Sequence, residues 1–247
     1  MSVQKLPSFE ILEQKVHERQ SQLPLEDLMA LAAILPPSIS LPEHLLTLSS
    51  RPITYVLPQS VAEGAPTYAD AVMIDLESPM VNEGLRSKNR PSLGFWPIVD
   101  EYEAWEARCL ELDGVVMTPG LHELHKLQWL IETCREATIE PILQIKNLGE
   151  FDLAFETDAK FLLISPLDLD LDLAQKRLRR WGRGRLPMIE LDESGRMDVG
   201  KLRALGYNCF YINAYGALPH ELIAEKSTAA IKRSPHERRS VIQRFWG

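Results

Sequence analysis

From residue 52 onward, short apolar runs alternate with longer stretches of polar-periodic sequence. The runs are PITYVLP (52–58), AVMIDLE (71–77), SLGFWPIV (92–99), GVVMTPG (114–120), PILQIKN (141–147), FLLISP (161–166), LPMIEL (186–191) and CFYINAY (209–215). Most are rich in β-branched or aromatic residues and bounded by Pro, Gly, Asp or Asn, which is the pattern of buried parallel strands. Between the later runs, helical spacing occupies DEYEAWEARCLEL (100–112), LHELHKLQWLIETCREA (121–137), LGEFDLAFET (148–157), DLAQKRLRRW (172–181) and DVGKLRALG (198–206). Eight strands with intervening helices predict an α/β fold, the (β/α)8 TIM barrel.

The first half is less regular. QSVAEGAPTYAD leaves room for only a stunted helix, and SPMVNEGLRSKNRP is turn-rich. A doubly wound open sheet is the alternative, and the lack of a Gly-rich dinucleotide loop after any strand counts against its nucleotide-binding version. Ahead of the strands, FEILEQKVHERQSQ and LPLEDLMALAAIL read as two helices separated by Pro24 and stopped by the Pro36–Pro37 pair, placed to cap one barrel end. Residues 1–50 are thus expected to form an N-terminal helical extension and residues 51–247 the barrel, together one domain.

Composition narrows the class. The 247 residues are 45% hydrophobic and 25% charged, an ordinary globular balance, and the longest apolar runs fall short of a bilayer span. No apolar core followed by a cleavage site opens the chain, and the three cysteines, Cys109, Cys134 and Cys209, are odd in number and widely separated. The cytoplasm is the expected compartment, without a disulfide framework or zinc knuckle. A net charge of −8 disfavours a broad nucleic-acid surface, and the basic KRLRRWGRGR (176–185) reads as a solvated helix face and turn. The partners expected are a small-molecule ligand or another protein, not nucleic acid or membrane.

Alternation places Tyr55, Gln59, Asp75, Glu77, Gln144, Lys146, Ser165, Glu190, Asp192, Asn213 and Tyr215 inward at the strand ends. The set is acidic. Asp75, Glu77, Glu190 and Asp192 could hold a divalent cation through oxygen ligands, although carboxylates facing water or pairing with Lys146 are the plainer reading. No other cofactor is suggested. His122 and His125, three apart on an expected helix, read as a surface pair rather than a metal site. Lys146 could form a Schiff base if desolvated, but acidic neighbours favour an ion pair. Trp96, Tyr55 and Tyr215 would narrow the mouth with aromatic surface, as ligand-binding walls or as filling.

Several stretches carry a family resemblance: KVHERQSQLPLEDLMALAAILPPS at the N-terminal end, DEYEAWEARCLELDGVV, SPLDLDLDLAQKRL and DVGKLRALGYNCFYINA. Together they resemble indole-3-glycerol phosphate synthase, a carboxy-lyase of tryptophan biosynthesis. The resemblance implies ring closure on a phosphorylated, ring-opened sugar with loss of carbon dioxide and water. It needs a general acid, a base and a phosphate nest at the carboxyl ends of the strands. Most of the positions that would supply them are substituted. Tyr55 and Leu57 stand for the strand-one Glu and Lys, and Phe95 or its neighbour Trp96 for the strand-three Lys. Gln144 stands for the strand-five Glu, Ser165 for the strand-six Asn, and Asn213-Ala214-Tyr215 for the strand-eight phosphate turn. Strand seven's Glu-Ser-Gly is matched without gaps by Glu190-Leu191-Asp192, or, with a deletion in the following helix, by the literal ESG at 193–195; in the first alignment Glu190 keeps the carboxylate and Asp192 would repel a phosphate dianion. A second, shorter resemblance joins YADAVMIDLESP to the strand-two segment of the citrate-lyase β-subunit class of magnesium-dependent lyases, with Ser78 in place of its last Asp.

Three functions follow as expectations. The first is a divergent family member without the ancestral reaction, acting as a binding or scaffold protein. The second is an enzyme of altered chemistry, such as a metal-assisted carbon–carbon lyase using Asp75, Glu77, Lys146, Glu190 and Asp192. The third is the family reaction with relocated groups.

Overall fold

The structure, a computed structural model, describes residues 9–48, 54–58, 70–75, 90–95, 97–165, 169–179, 185–191, 199–207 and 209–212. Its eight strands are β1 (Thr54–Pro58), β2 (Ala71–Asp75), β3 (Ser92–Phe95), β4 (Gly114–Met117), β5 (Glu140–Ile145), β6 (Phe161–Ile164), β7 (Leu186–Leu191) and β8 (Cys209–Ile212). Each pairs in parallel with the next, and β8 pairs with β1, so the sheet curls round in sequence order. The helices described are α1 (Phe9–Gln22), α2 (Leu25–Ala33), α3 (Leu41–Leu48), α4 (Glu101–Cys109), α5 (Leu124–Glu136), α6 (Leu148–Phe155), α7 (Leu171–Leu178) and α8 (Val199–Leu205). Among the described residues no helix is long and apolar enough to cross a membrane.

Alternation along the strands divides the core in two. Ala71, Met73, Leu93, Val116, Ile142, Phe161, Leu163, Met188, Cys209 and Tyr211 pack against one another inside the curled sheet. Val72, Ile74, Val115, Met117, Leu143, Ile145, Leu162, Ile164, Ile189, Leu191, Phe210 and Ile212 pack outward with the helices. Both faces are apolar, which is why the strands read as continuous hydrophobic runs.

Chain punctuation shortens the expected elements. The run at 92–99 ends as a strand at Phe95, and Pro119 turns the end of GVVMTPG into a single 3-10 turn, Pro119–Leu121. Asp100 caps α4, accepting from the Tyr102 N–H, with Glu103 completing the reciprocal box. Beyond α4 and α5 the chain reverses through Glu111 (φ 57) and Thr138 (φ 61), in the left-handed region usually left to glycine, and Gly206 (φ 101) does the same after α8.

The N-terminal helices depart from expectation. α1 and α2 lie against α4 on the outside: Arg19 Nη2 meets Glu103 Oε1 at 3.0 Å and Nε meets Glu106 Oε2 at 3.2 Å, while the Cys109 thiol donates to the Leu28 carbonyl oxygen at 3.4 Å. The interior of the curled sheet is met instead by α3, which the pattern did not predict. Its Leu41 is buried among the interior residues, within 3.4 Å of where a Cβ on Gly114 would stand. That Cβ would also lie 2.9 Å from Leu93 Cδ2 and 3.1 Å from the Glu140 carbonyl oxygen, so glycine makes room at the amino-terminal end of β4. Asp113 fixes the approach to α3, accepting from the Ile39 N–H at 2.5 Å and the Ser92 N–H at 2.8 Å.

Candidate functional site

Three of the expected site residues meet at the carboxyl ends of β5, β6 and β7. Gln144 is the inward residue one step before the end of β5, and the backbone bond from the Ser165 N–H to the Ile145 carbonyl oxygen (2.9 Å) sets Ser165 just beyond β6. Glu190, in register with Tyr211 of β8, faces the same interior. The Gln144 Nε2 donates to Ser165 Oγ at 3.2 Å, and the Ser165 hydroxyl donates to Glu190 Oε2. Gln144 and Ser165 are buried and Glu190 is half-buried, so the chain of bonds runs from the interior toward the mouth.

An uncharged amide and a hydroxyl thus lead to one carboxylate. Glutamine takes up no proton at neutral pH, so Gln144 can orient Ser165 but cannot act as base. Half-buried Phe95 belongs to the same interior cluster. Lys146 follows β5 and is half-buried. Its backbone N–H donates to Glu150 Oε2 at 2.6 Å, which engages that carboxylate, and its ammonium makes no ion pair among the described residues.

The other expected positions divide. Asp75 ends β2 in register with Phe95. Tyr55 lies in β1, level with Phe210 of β8. Trp96, Glu77, Gln59, Asp192, Asn213 and Tyr215 lie outside the described residues. Among the described residues no group of three His, Cys, Asp or Glu is arranged to hold a metal ion.

Tyr211 is a mouth residue that sequence reasoning passed over. It sits two positions before Asn213 on the same parity, so the alternation that selected Asn213 and Tyr215 reaches it one layer deeper. The histidine pair is also corrected. His122 precedes α5 in extended backbone (φ −130) and is buried against Phe9, whereas His125 is exposed beside Glu123. In the basic run, Arg177 pairs with Asp152 of α6, which gives that charge a structural partner.

No family model matches the chain. Among curated proteins it is similar to indole-3-glycerol phosphate synthase 2 of Streptomyces coelicolor, 27% identical over 120 residues, 47% of this chain and 46% of that protein. It is also similar to the indole-3-glycerol phosphate synthase of Chromobacterium violaceum, 25% identical over 120 residues, 47% of this chain and 45% of the relative. The same enzyme of Acidithiobacillus ferrooxidans is 24% identical over 119 residues, 46% of this chain and 45% of the relative. The matched segments span about half the length of these relatives, and at this identity they support a distant relationship to the indole-3-glycerol phosphate synthases.

Proposed function

We propose that the chain is a TIM-type (β/α)8 barrel with an N-terminal helical extension, a divergent relative of indole-3-glycerol phosphate synthase that binds a ligand at its barrel mouth without closing the indole ring. The barrel reading is supported by the registers. Carried partner to partner from Leu93 round the sheet, they return to β3 displaced by eight residues, the shear of TIM barrels.

The observation that carries the functional reading is the bonded series Gln144, Ser165, Glu190. Under the resemblance, Gln144 and Ser165 hold the places of a second carboxylate and an asparagine, and Phe95 or its neighbour the place of the acid. One missing acid or base costs about 10²–10⁴ in rate. Losing both leaves one carboxylate, engaged by a serine, to serve a reaction that moves protons at two centres.

The purified chain, given the ring-opened anthranilate sugar phosphate, is expected to yield no fluorescent indole product above the uncatalysed background. Turnover above background that Glu190→Gln abolishes would overturn this reading.

A further inference from the structure

The hydrogen bonds at the mouth have a direction, and it specifies the ligand. Serine has one hydroxyl proton. With that proton given to Glu190 Oε2, Ser165 Oγ is an acceptor, and the Gln144 group facing it must be the donating Nε2. The same assignment fixes the other end of the amide. Gln144 Oε1 is buried and accepts no hydrogen bond, in a residue only 4% exposed. A buried amide oxygen left without a donor is unfavourable, so this acceptor would be satisfied by a ligand that donates to it.

The surroundings agree in sign and shape. Glu190 brings a carboxylate to the same group. Tyr211 and Phe95 supply aromatic surface within the interior cluster, and Met73 packs with them. Among the described residues at these strand ends, Lys146 is the cation that an anion would use.

We propose that the mouth takes a planar cation bearing N–H donors, of the amidine, guanidine or aminopyridine class. One N–H would be given to Gln144 Oε1 and the positive charge would face Glu190. This inference rests on the reading that the site binds rather than turns over, and it inverts the charge of the anionic substrate which the resemblance implies. Phe95 and Tyr211 would contribute cation–π contacts to such a ligand.

The probes are benzamidine and benzoate, nearly identical in shape and opposite in charge, titrated into the full chain by calorimetry and followed by ligand-observed nuclear magnetic resonance. Benzamidine is expected to bind at least about tenfold more tightly than benzoate, and Gln144→Leu to weaken it by about tenfold, the worth of one hydrogen bond. Glu190→Gln should weaken benzamidine while leaving benzoate no weaker, and Lys146→Met should not weaken benzamidine. If Gln144→Leu does not fold, Gln144→Met serves in its place. Benzoate binding as tightly as benzamidine, an unchanged benzamidine affinity in the Gln144 variants, or binding of neither probe would each overturn the inference. Preference for benzoate without turnover removes this inference alone, whereas turnover of the sugar phosphate removes the functional reading beneath it.

Discussion

His122 shows how much of a residue's chemistry is decided by its neighbours. The sequence places it three before His125, as if the two shared a helix face, but α5 begins at Leu124 and leaves His122 in extended backbone beneath Phe9, with ring centroids 6.3 Å apart and edge-on. Burial pushes its pKa below the ordinary histidine value; the Ile98 backbone acts in the opposite direction and the Lys126 charge adds to the lowering. The folded state therefore binds this proton less readily than the unfolded chain. Its contribution to stability is present above the unfolded value of about 6.5 and is lost as pH falls below it, at no more than about 1.4 kcal/mol per pH unit. Glu106 and Glu140 are shifted upward, chiefly by burial, and act in the opposite sense over the carboxylate range, so the comparison needs a variant in which both persist. His122→Phe should lose less stability than the parent between pH 7.5 and 5.5 in urea melts, and parallel losses would count against the assignment. Gln144 belongs to this scale too. Its neutrality was legible in the sequence, whereas its orphaned oxygen depends on which way Ser165 gives its proton.

Among the elements, α3 is the one the pattern missed. LPEHLLTL follows a Pro-rich stretch and is only eight residues long, too short for periodicity alone to distinguish it from a loop. Its importance comes from Leu41, 1% exposed among the interior side chains of the sheet. Leu41→Ala should cost about 2–5 kcal/mol, the range for a buried leucine whose cavity cannot collapse. A chemical-denaturation series that finds less than about 1 kcal/mol would show that α3 merely rests on the opening. The strands were easier to read because both faces are buried, and their ends moved inward wherever a proline or a cap intervened. Thr138 and Glu111 illustrate the limit. Neither residue announces a left-handed turn, yet the bonds from the Ile139 N–H to the Cys134 carbonyl oxygen (2.8 Å) and from the Leu112 N–H to the Ala107 carbonyl oxygen (3.1 Å) close the two helices there.

At the scale of the molecule, the N-terminal helices and the strands share one set of buried contacts. Leu12, Val16 and Leu28 pack with Val99 and Tyr102, and Arg19 reaches the carboxylates of Glu103 and Glu106 on α4. Arg108, itself buried, donates to the Pro36 carbonyl oxygen, and Ser38 donates to that of Thr138 at 2.5 Å. With so much of the cover for α4 supplied by residues before 50, the helical segment and the strand-bearing segment should unfold together. Calorimetry of the full chain is expected to show one transition whose calorimetric and van't Hoff enthalpies agree; two resolved transitions would mean two folding units.

The sequence by itself determined the number and order of the strands, the α/β class and the identity of the side chains at the strand ends, because each follows from local periodicity or from the residue itself. It did not determine the presence of α3, the burial of Leu41 among the interior side chains or the direction of the Gln144–Ser165–Glu190 bonds. Leu41 is one leucine among many until the fold buries it in the interior cluster beside Gly114, and a hydroxyl proton has no assigned acceptor until a carboxylate from another strand is brought beside it. Contacts between residues distant in the chain carry no local periodicity, so tertiary structure alone could settle them.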